Sequence, residues 1–215
     1  MQNPSDRATV KHVPERASYD RGTIDSILDE GLICHVAFET DTGPVAIPTI
    51  HARVGDVLYF HGSHASRMMR STVGSDVCIT VTIVDGIVAA RSAFHHSLNY
   101  RSVMVFGRPR VVSDPDERTA AFAAITNHVL PGRWGEVRQP DEKEDKGTKL
   151  LAIVIDEASA KTRSGPPVDD EGDVDLGIWA GEIPLTMQAG VPIPVTGLEA
   201  GLELPDSVRR IASRS

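Results

Sequence analysis

The chain has 215 residues, enough for one substantial core with appendages and no demand for a second domain. Hydrophobic residues make up 40% and charged residues 24%, which fits a globular protein and excludes disordered and fibrous classes. A formal net charge of -8 argues against nucleic acid or an anionic membrane as the partner of the whole chain.

Residues 1–19 mix Pro, Ser and both charge signs, so they read as an N-terminal arm that is ordered only where something covers it. They hold no apolar secretory core, and no run of about 18 apolar residues occurs anywhere, so a cytoplasmic protein is expected. In residues 20–30, Ile24, Ile27 and Leu28 have helical spacing, with Gly31 as the stop. Residues 32–40, 44–54 and 57–61 then read as strands joined at Asp41-Thr42-Gly43 and Gly55-Asp56, which have turn composition at hairpin length. Residues 66–72 form one or two helical turns opened by the capping-type Ser66. Residues 76–84 and 87–93 flank Asp85-Gly86, the strongest hairpin signal in the chain. Cys34 and Cys78 sit inside apolar runs and read as reduced core thiols.

Residues 101–112 continue as a strand that Pro109 confines to an edge or bulge. Asp114-Pro115-Asp116-Glu117 starts a helix that runs to Leu130, with a cap, a first-turn proline and acids at the positive dipole end. The charged run 141–146 reads as a solvated loop and 149–156 as another strand. Beyond Ala158, Gly165-Pro166-Pro167 and the acids of residues 169–175 mark an extended tail, over residues 165–215. Trp179, Ile183, Pro184 and Leu185 imply that part of this tail docks on a surface, with Trp179 in an apolar groove. Six or seven closely spaced strands without a βαβ rhythm predict a mainly β (α+β) domain over residues 20–164, an antiparallel barrel decorated by helices.

Three segments carry candidate chemistry. In Tyr59-Phe60-His61-Gly62-Ser63-His64-Ala65-Ser66-Arg67-Met68-Met69-Arg70 a strand runs through glycine and hydroxyls into a basic helix start, a design suited to an anion. Ser63 and Ser66 offer hydroxyl donors and Arg67 a planar fork that matches phosphate. Ser97-Leu98-Asn99-Tyr100-Arg101-Ser102-Val103 puts polar groups at the mouth of an apolar strand, which suits the rim of a planar heterocycle. Ala46-Ile47-Pro48-Thr49-Ile50-His51 is a strand interrupted by Pro48, which frees backbone groups for a ligand or simply marks an edge. His51, His61, His64, His95 and His96 form a competing signal, but no Cys or carboxylate spacing completes a zinc pattern and no metal site is expected. Nucleophile-elbow, Walker and dinucleotide-fingerprint sequences do not occur.

In this order and within such a strand pattern, the three segments resemble the pyridoxamine 5'-phosphate oxidase-like FMN-binding split barrels, and among them the flavin-nucleotide-binding proteins related to nitroimidazole-resistance proteins. The resemblance covers residues 19–165 and reaches the phrase Ile178-Trp179-Ala180-Gly181-Glu182-Ile183-Pro184-Leu185. It implies a six-stranded antiparallel split barrel with peripheral helices, and a homodimer with two FMN molecules in clefts between subunits. Residue by residue it sets Ile47, Pro48, Thr49, Ile50 and His51 beside the isoalloxazine, His61 and Gly62 along the ribityl and phosphate, and Ser66 and Arg67 on the phosphate itself. Ser102 stands where the oxidase has Gln against the ring, and Met68 where it has Lys, a charge that Arg70 replaces from the same helix face. His51 takes the place of a Lys near the substrate phosphate, and no equivalent of the oxidase's substrate-phosphate Arg and Tyr set is found, so oxidation of pyridoxamine phosphate is not expected. The expected function is an FMN-dependent oxidoreductase acting on a small molecule, with His51 or His61 as candidate proton donor. The alternative is a flavin, haem or deazaflavin carrier or sensor without turnover, because related barrels bind those groups.

Overall fold

The computed structural model describes residues 4–199 and 201–213. Helix α1 (Arg21–Glu30) begins where the Asp20 carboxylate accepts the Thr23 amide at 2.8 Å, and it buries Ile24, Ile27 and Leu28. Gly31 ends it, yet with φ -74° it is not left-handed; a Cβ there would stand 2.2 Å from Val81 Cγ1, so close packing demands the glycine.

Both short hairpins form as their turn residues dictate. Strands β2 (Ile33–Thr40) and β3 (Gly43–Val54) pair through to Thr40 opposite Gly43, and β3 meets β4 (Val57–Ser63) across Gly55-Asp56, with φ +57° at Gly55. In β2 alternation puts Cys34, Val36 and Phe38 into the core. Helix α2 (Arg67–Ser71) is pinned there by Met68 and Met69.

Asp85-Gly86 does not turn the chain as expected. Strand β5 (Val77–Ala89) passes straight through it for 13 residues, paired along one edge with β6 (Ser97–Gly107), and the pair shows only as a register shift between Val84 and Gly86. Tertiary contacts override the local turn preference: Arg101 on β6 donates to Asp85 at 2.9 and 2.7 Å, and Gly86 lets the Ile183 carbonyl come within 3.1 Å of where a Cβ would sit. The chain reverses instead after Ala89, through the 3-10 turn Ala93–His95.

Beyond the short edge strand β7 (Arg110–Val111), helix α3 (Pro115–Val129) is capped by Asp114 as its sequence predicts. The run 141–146 is not a loop: α4 (Glu142–Gly147) closes with a reciprocal Asp141 and Glu144 capping box. Strand β8 (Thr148–Val154) matches expectation, whereas β9 (Glu157–Arg163), at the end of the expected domain, was not anticipated as a strand, its small Ala160 fully buried beside β6. Strand β1 (Ala17–Ser18) pairs with β9, and Arg7 binds Glu157 at 2.8 Å and Asp76 at 3.2 Å, so the chain itself covers its N-terminal arm.

The tail adds β10 (Gly181–Pro184) on β5 and α5 (Asp206–Ala212), whose Ser207 amide bonds Glu136 at 3.0 Å. Trp179 rests against Gly181 and remains 66% exposed instead of filling a groove within the chain. The strand order is β1-β9-β6-β5-β2-β3-β4-β8-β7 with β10 on β5, a mainly antiparallel sheet curled around the main core, with a second apolar cluster beneath α3 and short extra edge strands beyond the expected six. Both cysteines are free thiols, and no helix among the described residues is long and apolar enough to cross a membrane.

Gly31→Ala is expected to cost about 1–3 kcal/mol by overpacking against Val81. Urea denaturation measures it, and a midpoint equal to that of the unaltered chain would contradict the close contact.

Candidate flavin-nucleotide site

The loop after β4 brings two cations to one place. A Cβ at Gly62 would lie 3.1 Å from Met69 Cγ, so glycine allows α2 to fold down over the end of β4. With Met68 and Met69 turned inward, Arg67 and Arg70, three residues apart, are left on the exposed face. They line a cleft of about 620 Å³ shared with Thr40, Asp41 and Thr42 of the β2–β3 hairpin and with Ser75. Among the described residues neither guanidinium makes a side-chain hydrogen bond or ion pair, although most arginines of this acidic chain do. Ser66 stands at the helix start without using its hydroxyl as a cap, which leaves it for a ligand, while Ser63 Oγ accepts the Ala65 amide at 3.2 Å. Lys149 escaped the sequence reading because it looks only like the start of an apolar strand. It pairs beside Gly62 and donates to the Met69 carbonyl at 3.1 Å, adding a third positive charge behind α2.

Strand β3 supplies a partly open edge. Ile47, Pro48, Thr49 and Ile50 pair with Val36, His35, Cys34 and Ile33 of β2, but β4 joins β3 only from His51 onward. Backbone groups of residues 44–50 on that side therefore have no strand partner, and Pro48 is tolerated because part of its strand is an edge.

The two candidate proton donors have different surroundings. His51 is fully buried and its Nε2–H donates to the Leu28 carbonyl at 2.9 Å at the end of α1; burial pushes it down to about 4, so it is a neutral capping group and not a donor at a surface. His128 caps the same helix end through Gly31, with its ring 4.9 Å from that of His51. His61 is half-buried with Nδ1 unpartnered, and desolvation lowers its pKa as well.

The third segment lies elsewhere. Asn99 and Arg101 line a separate cleft of about 460 Å³ with Asp85, Gly86, Arg163 and Glu182, at the opposite end of β5 from the arginine cleft. Arg101 also binds Glu30, and it holds both the Glu30 and Asp85 carboxyls below their usual range. Arg163, overlooked by the sequence reading, is buried and donates to Asn99 Oδ1 and to the Gly165 carbonyl at 2.9 Å, while Asn99 Nδ2 donates to Glu182 at 2.6 Å. Ser102 Oγ bonds the Lys161 carbonyl at 3.2 Å, Tyr100 is half-buried and Val103 belongs to the core. Within one chain Arg67 and Arg70 share one cleft and Asn99 and Arg101 line another, and residues 47–50 line neither. No cluster of three or more His, Cys, Asp or Glu among the described residues is placed to hold a metal ion.

The pyridoxamine 5'-phosphate oxidase family model matches residues 20–162. The flavocytochrome Anf3 from Azotobacter vinelandii is 36% identical with a TM-score of 0.92, covering 98% of this chain and 99% of that one. The FAD and heme binding protein from Mycobacterium smegmatis is 39% identical with a TM-score of 0.87, covering 91% and 97%. A candidate 5-nitroimidazole antibiotic resistance protein from Bacteroides thetaiotaomicron shares the fold at 20% identity and a TM-score of 0.56, over 67% and 85%. No curated protein matches the chain in sequence.

His51 carries a stability prediction. Its ordinary value of 6.5 applies to the unfolded chain and about 4 to the folded one, so the unfolded state binds the extra proton and stability falls as pH drops from 6.5 to 4. The loss should reach about 3 kcal/mol, and His51→Gln should flatten this acid limb in pH-dependent denaturation. Equal slopes for both proteins would refute it.

Proposed function

The chain belongs to the pyridoxamine 5'-phosphate oxidase family, and on that premise we propose that it is a flavin-binding redox protein whose flavin phosphate sits on Arg67 and Arg70. The observation that carries the reading is the pair of guanidiniums without partners lining one cleft. Leaving two cations unmatched in a chain of 30 acidic residues makes sense if an anionic ligand completes them. The open edge of β3 at residues 47–50 offers backbone donors and acceptors to the rim of the ring, and His61 is the better-placed group for proton exchange. FMN was the cofactor expected from the sequence; the FAD named for the 39% identical protein favours FAD, which contains the same phosphate and ring. Bound flavin supplies hydride and single-electron exchange, while the protein binds and orients it. Pyridoxamine phosphate is not the proposed substrate, because the neutral, enclosed His51 offers no charge to a second phosphate.

A second reading adds haem. Two proteins similar over nearly the whole chain are a flavocytochrome and an FAD and heme binding protein, which supports one electron carrier of each kind on this fold and an electron-transfer role for the chain.

We further propose a homodimer. Asn99 pairs with Gly86, nine residues along β5 from Val77 and so about 30 Å from the arginine end at ~3.3 Å per residue, whereas Ser102 and Val103 pair with Thr82 and Val81, about 15 Å along it; a flavin on Arg67 meets the Asn99 end of the segment only if a second copy presents it. Met187, Val191 and Ile193, 89%, 88% and 93% exposed on a tail segment without regular structure, supply apolar surface for that copy.

Arg67→Ala and Arg70→Ala should each weaken FAD and FMN binding about tenfold or more, the worth of a charge-assisted hydrogen bond. Flavin fluorescence quenching measures this, and unchanged affinity in the double variant would sink the phosphate assignment. Light scattering should give twice the chain mass, and Ile193→Asp with Val191→Asp should shift it toward the monomer; a monomer before substitution would refute the dimer.

A further inference from the structure

The far end of the sheet carries an apolar surface that the chain leaves open. Ile183 on β10 stands opposite Ile87 on β5, which stands opposite Leu98 on β6, so the three side chains share one face; they are 46%, 39% and 45% exposed. Phe94, on the turn that joins β5 to β6, is 90% exposed. Two residues before Leu98 and one before β6 begins, with φ -58° and ψ 137°, stands His96.

The state of the His96 ring is set by its surroundings. Nδ1 lies 2.8 Å from the Ser92 carbonyl oxygen, and since a carbonyl only accepts, Nδ1 must carry the hydrogen. In the neutral ring the lone pair is then on Nε2, on an exposed side chain. A metal-ligating histidine is prepared in this way: the second nitrogen donates to the backbone, which orients the ring and makes the first a better ligand.

The other histidines are committed differently. His51 and His128 spend Nε2–H on the Leu28 and Gly31 carbonyls. Nε2 of His95 faces Asp170 at 3.2 Å, and the unpartnered nitrogen of His61 is the half-buried Nδ1. Among the described residues no hydrogen bond fixes the tautomer of the His12, His35 or His64 ring. His96 alone combines a backbone-fixed tautomer, exposure and an adjoining apolar platform.

Resting on the haem reading above, we propose that His96 is an axial ligand of the haem iron through Nε2, and that the Ile87, Leu98 and Ile183 face, flanked by Phe94, seats the porphyrin. The ligand is planar and largely apolar, and the face matches it where a small polar substrate would not be held.

The test is an optical titration of the purified full-length chain with ferric haem, with FAD binding followed in parallel. The unaltered chain should take up haem with the spectrum of imidazole ligation. His96→Ala should bind about tenfold or more weakly and lose that spectrum, added imidazole restoring it, whereas His12→Ala should behave as the unaltered chain. Leu98→Asp should weaken haem binding while circular dichroism stays unchanged. Retained FAD binding in every variant separates failure here from failure of the flavin reading. An imidazole-ligated spectrum and full affinity in His96→Ala would overturn the ligand assignment. No haem uptake by the unaltered chain would overturn the haem reading together with it. If Leu98→Asp splits a dimer without altering the haem spectrum, a second copy covers this face and the proposed seat is wrong.

Discussion

Arg101 grips two carboxylates at once, Asp85 across the β5–β6 ladder and Glu30 at the end of α1. Helix, bulge and sheet are thereby tied at one point, and a dipeptide that would favour a turn is held in a strand. Because β5 runs on, β2 occupies its edge at Val77–Thr80 and β10 at Gly86–Ala89. Had Asp85-Gly86 turned, β10 would have lost its template and the second cleft would not exist. The same continuity sets the two clefts apart, and the dimer proposal follows from that separation.

Partial pairing of β3 is the complementary constraint. A strand of 12 residues that β4 joins only at its last four must leave backbone groups uncommitted near residues 44–50. Open edges in soluble proteins are usually blunted, and here Pro44 and Pro48 do so by removing two donors. That leaves an edge unsuited to another strand but still able to offer the remaining groups to a ligand rim. Gly62 lets α2 and its arginines pack against the end of β4, the strand that joins β3 from His51 onward.

What the sequence shows and hides follows from the range of the interactions involved. Strand alternation in β2, the two-residue turns at Asp41-Thr42 and Gly55-Asp56, and the Asp114 cap are set within a few residues and were legible. The Asp85-Gly86 bulge, the small-residue strand β9 and the capping-box helix α4 were not, the first two because distant partners decide them and the third because its charge run hid the Asp141–Glu144 reciprocity. Arg67 and Arg70 could be read as an anion site from residue type and spacing. That neither forms an ion pair among the described residues could not, and neither could the burial of Arg163 against Asn99, which joins segments 64 residues apart.

Histidine makes the same point within one residue type. The sequence set His51 beside the ring as a candidate proton donor and counted His96 only among five histidines without a zinc pattern. The carbonyl that takes the ring N–H separates them. Leu28 binds Nε2 of His51 and the core encloses the rest, so that side chain stays neutral and serves the end of α1. Ser92 binds Nδ1 of His96 and leaves Nε2 facing outward beside an uncovered apolar face. Each ring has one nitrogen committed, but only His96 has the other where a ligand can reach it, so accessibility of the free nitrogen, more than residue type, separates a structural histidine from a ligating one.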